Sequence, residues 1–201
     1  MSDMMQTTLC KSVSYDGIGL HSGLPVHMIL HPAAANTGIQ FVRADLAGTP
    51  AVPALLPYVT NTMRATTLEK GEAKVFTVEH VLSALQGLCV DNCIVEMNSP
   101  EPPVADGSSA VFVDMIKEAG IRELDAVRNV HAVQKQHLIQ EDDKFIAILP
   151  YDGFRITFTS INPHPLLGVQ FFDAVVTEAS YVKEIAFART IAFTEELEMM
   201  R

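Results

Sequence analysis

Tryptophan is absent from this sequence, and so is any Cys-x-x-Cys pair: Cys10, Cys89 and Cys93 stand apart. Cysteines so spaced build neither a zinc ribbon nor a thioredoxin-like motif, and they read as reduced thiols of the core. No apolar run approaches the roughly 20 residues that span a bilayer. The opening "MSDMMQTT" has neither the basic nor the apolar region of a signal peptide. A cytoplasmic chain without a transmembrane segment is therefore expected. Cations are scarce too, 14 Lys and Arg against 24 Asp and Glu, for a formal charge of −10. Nucleic-acid binding needs clustered Lys and Arg, and no basic stripe interleaved with aromatics occurs, so no nucleic-acid partner is expected. A Gly-x-Ser-x-Gly elbow and a Walker loop are missing, which leaves serine-hydrolase and P-loop chemistry unsupported. None of the seven histidines falls in His-Glu-x-x-His or His-x-x-x-Asp.

What is present is material for a core. Hydrophobic residues make up 48% of the 201, which argues against disorder and allows one large or two small domains. Apolar alternation predicts strands at 7–15, 25–31, 38–43 and 62–68, with the turn "DGIGLHSG" joining the first two. The spacing of Val78, Val81, Leu82, Leu85 and Leu88 predicts a helix over 77–88, with Thr77 as its N-cap. A strand at 92–97 follows, then the stiff loop "NSPEPPVADGSS". Asp106 or Ser108 would cap a second helix that Gly120 closes. Residues 129–139, 144–149 and 154–160 read as further strands, and an amphipathic segment begins near Tyr181. The apolar-poor "ELDAVRN" reads as a boundary, giving domains 1–126 and 127–201. This order of elements implies two α+β units.

Candidate chemistry concentrates at one dipeptide. In "TVEHVLSAL", Glu79 and His80 fall in the first turn of the predicted helix, where backbone N–H groups and the macrodipole favour a carboxylate. Adjacent helical residues diverge by about 100°. The two side chains can therefore enter one cleft from different angles, a metal ligand beside a general base. A solvated helix start is the plain alternative. His27 and His31 read as surface residues of a strand end, and His131 and His137 as structural residues of strands. The glycines of "GIGLHSG" read as a tight hairpin turn, in which His21 either faces a site or does not.

Several stretches together resemble one family. "TVEHVLSALQGLCVDNCIVEMNSPEPPVADGSSAVFV" is similar to the hallmark segment of UDP-3-O-acyl-N-acetylglucosamine deacetylase, the zinc amidase that commits a sugar nucleotide to lipid A synthesis. "GIGLHSGLPVHMILHPAAANTGIQFVRADL" resembles that family's N-terminal segment, and "EIAFART" a segment of its second domain. The resemblance implies two βααβ-type units, each a sandwich of the ribosomal protein S5 domain 2-like kind, with the active site between them. It implies Zn2+ as cofactor, His80 as a zinc ligand and Glu79 as general base. Thr190 would lie near the substrate amide, Lys144 at the nucleotide-sugar end, and Met63 where the cleft is lined. The implied reaction releases acetate from the N-acetyl group of UDP-3-O-acyl-N-acetylglucosamine, in a monomer.

The resemblance also has gaps. The family's His-Lys-x-x-x-Asp and Gly-His-Ala-Leu-Asn segments have no counterpart here, and the last histidine, His164, lies in "NPHP". Where the family has Ala-Arg-Thr-Phe-Gly-Phe, this chain continues Ile191-Ala192-Phe193. Where it has Asp-Phe before the His-Pro, this chain has Ile161-Asn162. The expectation is a C-terminally truncated copy whose second unit is incomplete and which alone is inactive. The alternative is a non-catalytic relic or a UDP-sugar-binding module.

Overall fold

A computed structural model of the chain describes residues 4–189. It divides into two compact units. One holds the described residues up to Arg128 and those from Val182 onward; the other is Asn129–Tyr181. No helix among the described residues is long and apolar enough to cross a membrane.

The first unit opens with β1 (Met5–Leu9) and β2 (Val13–Ile18). The alternation over 7–15 suggests one strand, but the chain turns away after Leu9, where Cys10 N donates to Gly120 O at 2.8 Å. Period-2 alternation carries no information about partners, so two strands of different sheets read as one. β3 (Pro25–Pro32), β4 (Ile39–Arg43) and β5 (Ala51–Pro53) follow, then β6 (Val59–Asn61), β7 (Thr67–Lys70) and β8 (Ala73–Phe76). α1 spans Glu79–Gly87, β9 Cys93–Met97, α2 Ala110–Ala119 and β10 Ile121–Val127.

A five-stranded sheet runs β2-β3-β9-β4-β5, with β4 parallel to β9 and the other pairs antiparallel. Its buried face is set by alternation: Val26, Met28 and Leu30 on β3, then Cys93, Val95 and Met97 on β9, beside Phe41 and Val52. Register puts Val95 opposite both Leu30 and Phe41, so these side chains form one row. Each such burial stabilises by about 1.5–3 kcal/mol. α1 packs on α2, and α2 also meets β2. Val81 and Leu85 are buried on α1, and Phe112, Val113 and Ile116 on α2.

Several local expectations are corrected. Residues 62–66 are no strand: Arg64 at φ 60° interrupts it, and β7 starts only at Thr67. Most of "ELDAVRN" is strand rather than loop, since β10 runs through Val127 and pairs with β1, and the compact units divide just after it, at Arg128 and Asn129. Thr77 does not cap α1. Its φ of 57° turns the chain into the helix, the cap position is Val78, and the Thr77 hydroxyl donates to Glu101 instead. At α2 the cap position is Ser109, while the Ser108 hydroxyl accepts from Ala110 N and donates to Asp106. Of the cysteines, Cys10 is exposed, Cys89 half-buried and only Cys93 lies in the core, where burial pushes its thiol up to about 12.

The second unit consists of two hairpins, β11 (His137–Glu141) with β12 (Lys144–Ile148) and β13 (Arg155–Ile161) with β14 (Val169–Val175). His131 lies outside any strand, contrary to the pattern read over 129–139. Nearly every side chain of these four strands is exposed. A helical turn at Glu178–Ser180 follows, capped reciprocally by Thr177 and Ser180.

Candidate active site

Glu79 and His80 occupy the first turn of α1, both half-buried. They line one cleft of about 250 Å³ together with Ser83, Ser109, Ile185 and Ala188. The apolar stripe of α1 turns the other way, so the helix is anchored by Val81 and Leu85 while its polar first turn faces the opening. The Glu79 carboxylate is fixed from a separate loop: Thr66 N donates to its Oε2 at 3.0 Å. A carboxylate placed at a helix start and steadied by a backbone donor has its direction set by the fold.

The far wall of the cleft comes from the segment before residue 190. Ser109 N donates to Ala186 O at 2.9 Å. Arg189 bonds Asp106 twice, Nε to the backbone oxygen at 2.8 Å and Nη2 to Oδ2 at 2.9 Å. The Ser108 hydroxyl and then the Arg189 guanidinium hold the Asp106 carboxyl below its ordinary range. Ile185 and Ala188 are thereby seated beside the start of α2, across from His80. Neither wall residue carries a sequence signal of its own; the "ART" resemblance alone marks the region.

A second cleft, about 400 Å³, is lined by His21, Asn61, Met63, Lys74 and Phe76 among others. Met63, 81% exposed, therefore opens here rather than beside His80, and His21 does face a cleft. One loop serves both openings, since residues 63–65 line the larger and Thr66 holds Glu79. Lys144 begins β12 of the other unit and is exposed. Thr190 lies outside the described residues.

A catalytic zinc takes three protein ligands and keeps an open position. Among the described residues no group of three His, Cys, Asp or Glu could hold a metal ion. His80 supplies one nitrogen, and the described donor set does not make a zinc centre.

The family described as LpxC, UDP-3-O-acyl N-acetylglycosamine deacetylase, matches residues 6–201. The chain is 43% identical over 198 residues to the UDP-3-O-acyl-N-acetylglucosamine deacetylase of Legionella pneumophila (strain Corby), covering 98% of this chain and 65% of that protein. It is 41% identical over 201 residues to the protein of that name from Anaeromyxobacter dehalogenans, covering 100% and 65%. With the Pseudomonas entomophila protein it shares 41% over 198 residues, covering 98% and 65%. The chain thus spans about 65% of the length of these relatives. Matched along all but its first five residues, the chain belongs to the UDP-3-O-acyl-N-acetylglucosamine deacetylase family.

Proposed function

We propose that these residues serve hydrolysis of the N-acetyl group of UDP-3-O-acyl-N-acetylglucosamine, the step that commits the sugar nucleotide to lipid A, in a cytoplasmic monomer. Glu79 is the general base. Its carboxylate, steadied by Thr66 N–H, takes a proton as water attacks the amide carbon. The C–N bond then breaks to give acetate and a free amine, and the protonated carboxyl is the group at hand to return the proton to nitrogen. His80 would give one nitrogen toward Zn2+, which would supply Lewis-acid polarisation of the carbonyl when bound. Met63, Lys144 and Thr190 bind substrate. For the fold, α1 packed on α2, and α2 on β2, support a βααβ-type sandwich in the first unit.

The observation that carries this reading is the pairing of an oriented carboxylate with an imidazole in one cleft. That no three-donor group occurs among the described residues favours a second reading, namely binding of a UDP-sugar without turnover. Calorimetry and an acetate-release assay separate the two. The chain alone is expected to bind UDP-sugar and release no acetate with added zinc. Joined to the portion of the Legionella relative that it does not cover, it should release acetate. There Glu79→Ala should lower kcat by about 10²–10⁴-fold with metal retained, and His80→Ala should lose metal as well. Equal metal loss in both variants contradicts the division of roles, and undetectable UDP-sugar binding removes the second reading.

A further inference from the structure

Glu101 is fully buried, yet it stands in the loop between β9 and α2, where charged residues ordinarily meet solvent. Its carboxylate gathers four bonds. His21 N donates to both oxygens at 3.1 Å, Ser22 N to Oε2 at 2.8 Å and the Thr77 hydroxyl to Oε1 at 2.7 Å. Burial pushes its pKa up, but the donors of Ser22, Thr77 and His21 together outweigh that and leave it below the ordinary value. The main chain on either side is held too: Phe76 N donates to Pro100 O at 3.0 Å and Val104 N to Ile18 O at 2.9 Å. The loop at 17–22 is cut to fit this segment. A Cβ on Gly17 would meet Pro103 Cβ at 2.7 Å, and one on Gly19 would meet Glu101 Oε2 at 2.5 Å. These two glycines give close approach rather than a tight turn.

Thr77 is the second half of the device. At φ 57° it occupies the left-handed region, where a β-branched residue is strained by about 1–3 kcal/mol. Such strain persists only where surrounding structure over-determines it. Two residues later α1 begins at Glu79.

We propose that Glu101 is a positioning residue: by accepting the Thr77 hydroxyl it holds the left-handed backbone from which α1 springs, and so sets where Glu79 and His80 enter their cleft. The same carboxylate anchors residues 21 and 22, so the His21 loop and the α1 start share one post. The importance of that placement rests on Glu79 being the base, but the placement itself has a reporter that needs no turnover. Thr66 N–H donates to Glu79 Oε2 from a different loop, so its protection from solvent exchange follows the carboxylate.

Amide exchange by NMR on the 201-residue chain tests this. Glu79→Ala calibrates the reporter by removing the acceptor. In Glu101→Gln, Thr66 and Leu82, whose N–H closes the first turn on Val78 O, should exchange about ten-fold faster. Val113, bonded to Ser109 O on α2, should keep its rate. Thr77→Val should reproduce the Thr66 effect, and Thr77→Ser, which keeps the hydroxyl, should restore the wild-type rate. Faster exchange at His21 and Ser22 with Thr66 and Leu82 unchanged would overturn the proposal. Should Glu101→Gln fail to fold, the Thr77 pair decides, and equal Thr66 rates in Val and Ser variants overturn it. A Thr66 response to Thr77→Val without any loss of acetate release in the joined protein upholds the positioning and removes Glu79 from its role as base.

Discussion

The two units are made of the same kind of strand and differ in what their side chains meet. In the first, Phe41 on β4 is wholly buried among Val95, Leu30 and their neighbours. In the second, Phe158 on β13 is paired just as regularly, opposite Phe172, yet is 60% exposed. Backbone pairing alone therefore does not make a core; a second layer does. Only the first unit shows that layer within itself, in α1 and α2. The lesson bears on function. A side chain can be aimed to within tenths of an ångström only where its element is fixed by packing, and Glu79, His80 and Glu101 all belong to the packed unit.

The sharpest way to break the comparison is truncation of the two phenylalanines. Phe41→Ala should cost about 3–5 kcal/mol, the transfer loss plus the cavity left in a filled row. Phe158→Ala should cost well under 1 kcal/mol by the same arithmetic, because most of its surface is in water already. Denaturant unfolding of both variants measures the difference. Comparable losses would mean that the exposed sheet face of the second unit is covered in solution.

Next in size is Gly19→Ala, which separates space from backbone freedom as the reason for a glycine. An added methyl group runs first into the Ser22 hydroxyl and then into Glu101 Oε2, an atom already pinned by Ser22 N and His21 N. Overpacking of this kind costs about 1–3 kcal/mol. The variant should also quicken Thr66 exchange if the push reaches Thr77. A neutral Gly19→Ala would show that the Ser22 hydroxyl and the Glu101 carboxylate yield together, and would weaken the claim of that post to position anything.

How much of this was legible beforehand differs between the sheet and the site. β3, β4 and β9 are plain in the alternation, since one buried face repeats every second residue. α1 is plain for the matching reason at period 3.6. The break between β1 and β2 is hidden, because alternation continues across it while the partner strands change. β5 and β8, three and four residues long, are too short to carry a period. At the site, Glu79 and His80 are visible as a charged pair heading an apolar helix. What holds Glu79 is not visible: Thr66 acts through its backbone N–H, which every residue but proline has. Thr77 misleads because its type suits a cap, whereas its positive φ is imposed by Glu101, 24 residues further on.

The smallest expected effect is electrostatic, and it separates the units by salt rather than by size. Asp173 on β14 bonds Arg155 through Nε at 2.9 Å and Nη2 at 2.6 Å, and accepts the Thr157 hydroxyl at 2.7 Å. These bonds, Arg155 first, hold its carboxyl down to about 2. In an unfolded chain the group titrates near pH ~3.9. The stability it lends to the β13–β14 hairpin is therefore complete above about pH 4 and is lost as the pH falls from there through 2. Glu101 is shifted in the same direction, so its contribution has the same sign and also disappears on acidification. The surroundings differ. The Arg155–Asp173 pair is open to solvent, where ions screen it over about 3 Å at 1 M salt, while Glu101 is held by neutral donors in the interior. Raising salt from about 0.05 to 1 M should flatten the acid dependence of the β13–β14 amides and leave that of the α1 amides unmoved. Asp173→Asn should abolish the salt effect at the hairpin. Equal salt sensitivity in both units would mean that solvent reaches Glu101, and with it the root of α1.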